Sequence, residues 1–374
     1  MIVASNHLLI DSSCAVEGYM EDLRGDLTID SRHIASQCKR FGVGAVRDTG
    51  SGISAKSRFQ RYEDCVKLLG GIIAITDSTP YNRSEIIIST VSELSEIISL
   101  CNALNERWIS VRSTNSDFFY AVRSIAKDAG ISIFGRGPGA VSAASMGSID
   151  IMDGVTSLLP IQTSPANALT SAAVADNSWW SNLASILIER GVSVCTGLIA
   201  LRRSIFLKEA IHAPHLEDLT PIVPHSQYLQ KMRQGTGYLA GKRALEIHSG
   251  MREPSNKERQ ILNEGWMRIS TWIGDASHNG LTFLPASKAP QLAVLPGYGL
   301  LEELALLANI GISPIETIEL ATTGAARILG VEPVPGKLTV QSQNSQIKIE
   351  GLSDNSNTSE MLTRDSLLSL KPVE

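Results

Sequence analysis

The sequence predicts an α/β fold built from repeated strand–helix units, and three observations carry that expectation. Short β-branched or apolar runs alternate with longer helical patterns, the arrangement that builds a parallel sheet from βα units. Eight such runs read as strands: His7–Ile10, Gly44–Arg47, Gly71–Thr76, Trp108–Arg112, Ile131–Phe134, Ile149–Met152, Val192–Thr196 and Leu281–Leu284. With 374 residues, 43% of them hydrophobic, the chain can bury one large core, and α/β barrels commonly form a single domain at this length.

Candidate helices fill the gaps at Ile29–Phe41, Val91–Leu104, Ser116–Ala129 and Asn182–Arg190. Glycines stand just before the next strand at Gly42, Gly130, Gly191 and Gly280, the usual C-terminal stop of a helix. The segment from about 207 to 261, after the seventh strand, loses this regularity, with prolines at 214, 221, 224 and 254. In a barrel it would be a βα excursion, so a wall over the pocket and a peripheral decoration are both open. After Gly330 the composition turns to Ser, Asn, Gln and Asp, with alternating pieces at Lys337–Val340 and Gln346–Ile349. Residues 331–374 therefore read as a small β appendage with a polar tail, set apart from a body spanning residues 1–330.

The 33 basic and 38 acidic residues give a net charge of −5, and the basic ones are scattered singly or in pairs such as Arg202-Arg203. That is not a phosphate-tracking surface, so no nucleic-acid partner is expected. No stretch approaches the roughly 18 apolar residues of a membrane span, and the first residues lack a signal-like pattern. A cytoplasmic protein, monomeric or homodimeric, is the expectation. Cys14, Cys38, Cys65, Cys101 and Cys195 are odd in number and never spaced Cys-x-x-Cys, which argues against a disulfide framework or structural zinc.

The most specific segment runs Pro296-Gly297-Tyr298-Gly299-Leu300-Leu301-Glu302-Glu303-Leu304, through Gly311-Ile312-Ser313-Pro314, to Ala325-Ala326-Arg327-Ile328-Leu329-Gly330. Leu300, Leu304 and Leu307 recur at helical spacing, and Ser313-Pro314 opens a helix with serine as N-cap and proline first. The segment resembles the last barrel helices of the amidohydrolase superfamily, in its imidazolonepropionase and prolidase-like branch. Leu9-Ile10-Asp11-Ser12, Gly42 to Asp48 and Gly147 to Gly154 resemble that family at three further places in order. The resemblance implies a (β/α)8 TIM barrel of amidohydrolase type, with a reduced β appendage.

It also implies a metal site: two histidines after the first strand, lysine after the fourth, histidine after the fifth and sixth, aspartate after the eighth. The matching positions here are Ser13 and Ala15; a fourth strand without lysine; a fifth without histidine; Asp153; and an eighth strand without the aspartate. The expectation is a barrel with no metal and no other cofactor. His212, His215 and His225 are the remaining cluster, but Pro214 interrupts the helix that a His-x-x-His chelate would need.

For chemistry the sequence offers Asp153, Arg136 and Asp48 as catalytic candidates, with Ser13, Arg112, Phe134, Thr196 and Ser287 lining the pocket. Asp153 is expected to titrate near neutrality for acid/base work, or else to pair with an arginine. Asp48 in Arg47-Asp48-Thr49-Gly50 suits a structural turn better. Arg112 and Arg136 suit a substrate carboxylate or an enolate, or the neutralisation of Asp153. Gly135-Arg136-Gly137-Pro138-Gly139 lacks the Lys-Ser/Thr of a P-loop and reads as a tight turn. The leading reading is a metal-independent lyase, isomerase or cyclase acting on a small organic substrate. The alternatives are a catalytically inactive barrel that binds a ligand or protein, and a residual hydrolase of C–N bonds.

Overall fold

The computed structural model describes residues 2–16, 18–20, 27–29, 31–80, 84–137, 139–159, 165–205, 255–290, 294–343, 346–352 and 360–362. Eight short parallel strands form its centre: β1 (Leu9–Asp11), β2 (Val43–Val46), β3 (Ala74–Thr76), β4 (Trp108–Arg112), β5 (Ser132–Arg136), β6 (Ile151–Asp153), β7 (Ser193–Cys195) and β8 (Phe283–Leu284). Each falls within or beside a run read from the sequence. β3 to β8 lie in consecutive order in a seven-stranded sheet, with Glu85–Ile87 added outside β3. β1, β2 and Lys67–Leu68 form a second parallel sheet.

Backbone hydrogen bonds join the two sheets at both edges. Ser12 donates to the Pro285 carbonyl (3.3 Å) and Lys288 to Ser13 (2.8 Å), linking the exits of β1 and β8. At the other edge Asp48 donates to Gly70 (2.8 Å) and Gly52 to Ile72 (3.0 Å).

Period-two alternation divides the core. Ile10, Ala45, Trp108, Phe134, Ile151, Cys195 and Leu284, from seven different strands, pack into one apolar cluster with Ala325, Ala326 and Leu329. Their neighbours Leu9, Val46, Ile109, Ile133, Met152, Val194 and Phe283 belong to the larger core shared with the helices. The strands thus share one interior, plugged by apolar side chains.

The helices start where local chemistry dictates. Thr90 and Glu93 form a capping box at Val91–Ala103, Asn115 caps Ser116–Ala126, and Asp176 caps Asn177–Glu189. Ser313 caps Pro314–Glu319 through the Glu316 N–H (3.2 Å), with proline in the first turn. Gly130 (φ 68°) and Gly191 (φ 66°) adopt the left-handed conformation that ends a helix.

Two features differ from the sequence expectation. Asn256–His278 is one long helix opened by a Ser255/Glu258 capping box, so the last residues of the 207–261 excursion are helical. Residues 206–254, and with them His212, His215, His225 and the expected pocket wall, lie outside the described residues. The β appendage is a four-stranded antiparallel sheet in the order Ile2–His7, Pro335–Gln343, Gln346–Leu352, Glu360–Leu362. It therefore recruits a strand from residues 2–7 as well as the C-terminal pieces. No described helix is long and apolar enough to cross a membrane.

Helix Asn256–His278 lies against helix Pro165–Val174 at Gly265, where an added Cβ would come 1.9 Å from the Leu169 carbonyl oxygen. Gly265→Ala is expected to lower stability by roughly 1–3 kcal/mol through overpacking. Exposed Glu264→Ala, one residue away, should stay within about 0.5 kcal/mol of wild type. Denaturant unfolding checks both, and equal stabilities would show that the helices do not pack this closely.

Candidate functional site

The site follows from the same alternation. Two residues beyond the apolar plug, the inward positions become Arg47 after Ala45, Ser110 after Trp108, Arg136 after Phe134 and Asp153 after Ile151. On the last strand the step runs from Leu284 through Ala286 to Lys288. Charged groups thus sit directly above a closed apolar layer, at the C-terminal ends of parallel strands.

Their contacts converge on one carboxylate. Asp153 Oδ1 accepts from Lys288 Nζ, from an Arg47 N–H (3.2 Å) and from the Ser13 hydroxyl (3.2 Å). Its Oδ2 accepts from Arg136 (2.6 Å). Arg47 is held further by the Ser12 carbonyl (2.7 Å) and Ser110 (3.4 Å), and its guanidinium lies 3.5 Å from the Phe134 ring centroid. The side chains of Asp153 and Arg47 have no solvent exposure, whereas Lys288 is 10% and Arg136 29% exposed. A ligand would therefore meet Lys288 and Arg136.

The electrostatics decide between the two readings of Asp153. Burial opposes its ionisation, but Lys288, Arg136 and Arg47 outweigh burial and hold the carboxyl well below the usual carboxylate range. Asp153 is an ionised anchor, not a group titrating near neutrality. Burial pulls the Lys288 ammonium below the usual lysine range; Asp153 offsets part of this and Arg136 adds to it. Beside them Asp11 is fully buried, and burial raises it to about 6 against hydrogen bonds from Ser287 and Ser13. The Ser287 hydroxyl donates to Asp11 (2.5 Å). Burial pushes the Cys195 thiol up to about 12, so it is not a thiolate nucleophile at neutral pH.

Of the residues singled out from sequence, Ser13 and Arg136 contact Asp153 and Phe134 underlies the cluster. Ser287 serves Asp11, and Thr196 donates to the Leu284 carbonyl (3.4 Å). Arg112 turns away to Glu85 (2.8 Å) and the Thr79 carbonyl (2.6 Å), so it does not join Arg136. Asp48 accepts from the Val16, Gly50 and Ser51 N–H groups and the Ser51 hydroxyl, which is the bonding of a turn and not of a catalytic base. Sequence reasoning missed Lys288 and Arg47 as site residues. The available signal was the two-residue step from Ala45 and from Leu284.

A second polar group fixes the helix that leaves β7. Glu303 accepts from the Leu198 (2.9 Å) and Ile199 (2.7 Å) N–H groups, and Glu302 pairs with Arg203. Both carboxyls are fully buried, and burial raises each to about 7.

Neither a family model nor a curated protein matches the sequence. Solved structures do match. Bottromycin amidohydrolase superposes with a TM-score of 0.64 at 15% identity, over 97% of this chain and 78% of that one. A protein assigned as a prolidase from Bifidobacterium longum gives 0.55 at 13% identity, over 97% and 84%. The chain has the fold of these proteins. At the strand ends, where the sequence resemblance implied a metal, the described charged side chains pair with one another. Both Asp153 oxygens are engaged by cations, and among the described residues no three His, Cys, Asp or Glu side chains gather to hold an ion.

Asp153→Asn would leave buried Arg47, and the partly exposed Lys288 and Arg136, without their counterion, and a loss of about 3–5 kcal/mol is expected from chemical denaturation. An unchanged unfolding midpoint would show that the carboxylate does not hold the cluster. For Glu303, a folded value of about 7 against an ordinary 4.5 favours folding below pH 4.5, and that contribution is lost as pH rises through about 7. Wild-type stability should therefore fall between pH 5 and 8, and fall less steeply in Glu303→Gln. Parallel pH profiles would remove Glu303 as a cause.

Proposed function

We propose that the two parallel sheets form one (β/α)8 barrel whose C-terminal mouth carries out metal-independent acid/base chemistry on a small anionic organic substrate. Elimination, isomerisation or cyclisation are the reaction classes that suit it. One observation carries the reading: three cationic side chains converge on a single ionised carboxylate, and solvent reaches two of them, Lys288 and Arg136. Even with Asp11 near Lys288 largely ionised at neutral pH, three cations against two carboxylates leave a positive excess. Such a site favours a carboxylate in the ground state and an enolate or oxyanion as charge develops.

In this reading Arg136 binds a substrate carboxylate through its fork of donors. Lys288 stands beside it to give or take a proton, and Asp153 stays ionised to orient both. The fold shared with an amidohydrolase and an assigned prolidase supports an enzyme in general. The hydrolytic alternative draws on those neighbours alone, whereas the charge arrangement supports a pocket without a Lewis acid.

Arg136→Gln is expected to weaken binding of small carboxylates such as pyruvate or succinate by about tenfold or more, read by calorimetry. Turnover in a screen of elimination and isomerisation substrates should persist in chelator. Loss of turnover on chelation, with one tightly held metal per chain, would overturn the metal-independent reading. Carboxylate binding without turnover of any substrate would give the inactive, ligand-binding barrel.

A further inference from the structure

We infer that Lys288 is an imine-forming residue, its ε-amine placed to condense with the aldehyde or ketone carbon of a small substrate that also carries a carboxylate. The inference rests on the reading that the strand ends hold the reaction, and adds a covalent step to it.

Geometry singles out this lysine. Its backbone has φ 59°, a left-handed conformation that side-chain-bearing residues seldom adopt and that collects at functional sites. The stem passes over two bare strand exits. A Cβ at Gly197 would lie 3.0 Å from Lys288 Cγ and 3.2 Å from Cε, and one at Gly154 3.5 Å from Cε and 3.7 Å from Nζ. The missing side chain at Gly197 leaves the space in which the lysine stem lies, and at Gly154 the end of the lysine lies at ordinary contact distance. At its end, Nζ and the Arg136 guanidinium sit on opposite oxygens of the same carboxylate, so one small molecule can meet both. An oxo acid has the matching pair of groups: a carboxylate for Arg136 and an electrophilic carbon for Nζ.

The step balances without any further reactant. The ammonium releases one proton to solvent, the nitrogen lone pair attacks the carbonyl carbon, and the carbonyl π pair moves to oxygen, which takes up a proton. The second nitrogen proton then passes through solvent to the carbinolamine hydroxyl, which leaves as water as the nitrogen lone pair forms the C=N bond, giving the iminium; ammonium plus carbonyl has become iminium plus water. The iminium keeps a positive charge beside Asp153, so the buried carboxylate remains paired throughout. It also accepts electrons from the adjacent carbon, which is what elimination or isomerisation needs. The crowding of Lys288 by burial and by Arg136 favours the neutral amine that attacks.

The test is reductive trapping of the full chain with cyanoborohydride and pyruvate, with propanal as the neutral probe, followed by peptide mapping. Lys288 should be alkylated by pyruvate about tenfold or more faster than any other lysine, as an activated amine requires. In Arg136→Gln that advantage should shrink for pyruvate but not for propanal. Lys288→Arg, which keeps the charge beside Asp153, should still bind pyruvate in calorimetry without being trapped. Pyruvate binding with label only on other lysines would overturn the imine and leave the anion site standing. If the wild type neither binds nor traps pyruvate, the imine and the site reading both fall. Equal trapping of the two probes, unaffected by Arg136→Gln, would overturn the carboxylate requirement.

Discussion

An ionised carboxylate with no access to water must be matched by positive charge, and at Asp153 that requirement organises everything above the apolar plug. Lys288, Arg47 and Arg136 come from different strands, and all three end on its two oxygens. An isolated charge buried to this degree would neutralise or unfold its surroundings. With three cations it does neither, and it fixes the side chains of Lys288 and Arg136 at the strand ends. The same pairing decides the state of the carboxyl, which cannot carry a proton near neutrality.

Two further devices keep these strand ends in place. Beneath the charges, one apolar residue from each of seven strands closes the interior, so the charged groups have water on only one side. Beside them, adjacent Glu302 and Glu303 on helix Tyr298–Asn309 hold the helix that follows β7, one through Arg203 and the other through backbone N–H groups at its start. Buried carboxylates in this role cost desolvation and return a defined helix position next to Gly197, over which Lys288 lies.

The eight strands were legible because each is a short apolar run bounded by turns or glycine, and the caps at Ser313 and Pro314 because capping chemistry is local. Helix Asn256–His278 was hidden by the prolines and charges just before it. Its buried Leu262, Trp266, Ile269 and Ile273 nevertheless stand at helical spacing. The strand at Ile2–His7 could not be read as part of the appendage, because its partner is at the far end of the sequence. Pairing of Asp153 with Arg136 was one of two readings of the sequence; the shares of Arg47 and Lys288 were not legible, because these lie 106 and 135 positions away. What a single residue's neighbours in sequence do suggest, a carboxyl in apolar company, points to the opposite titration.

The seam between β1 and β8 has a consequence for how the protein is made. Asp11 and Ser13 belong to the first central strand and its exit, Ser287 and Lys288 to the exit of the last, and backbone hydrogen bonds from Ser12 and Lys288 stitch the two together. Contacts between such distant segments form late and at a high cost in chain entropy. A nascent chain that has not yet delivered residue 288 has Asp153 but not the lysine that faces it. The charge cluster around Asp153 is therefore incomplete in every translation product that stops short of residue 288, and is completed only when the exits of β1 and β8 are joined.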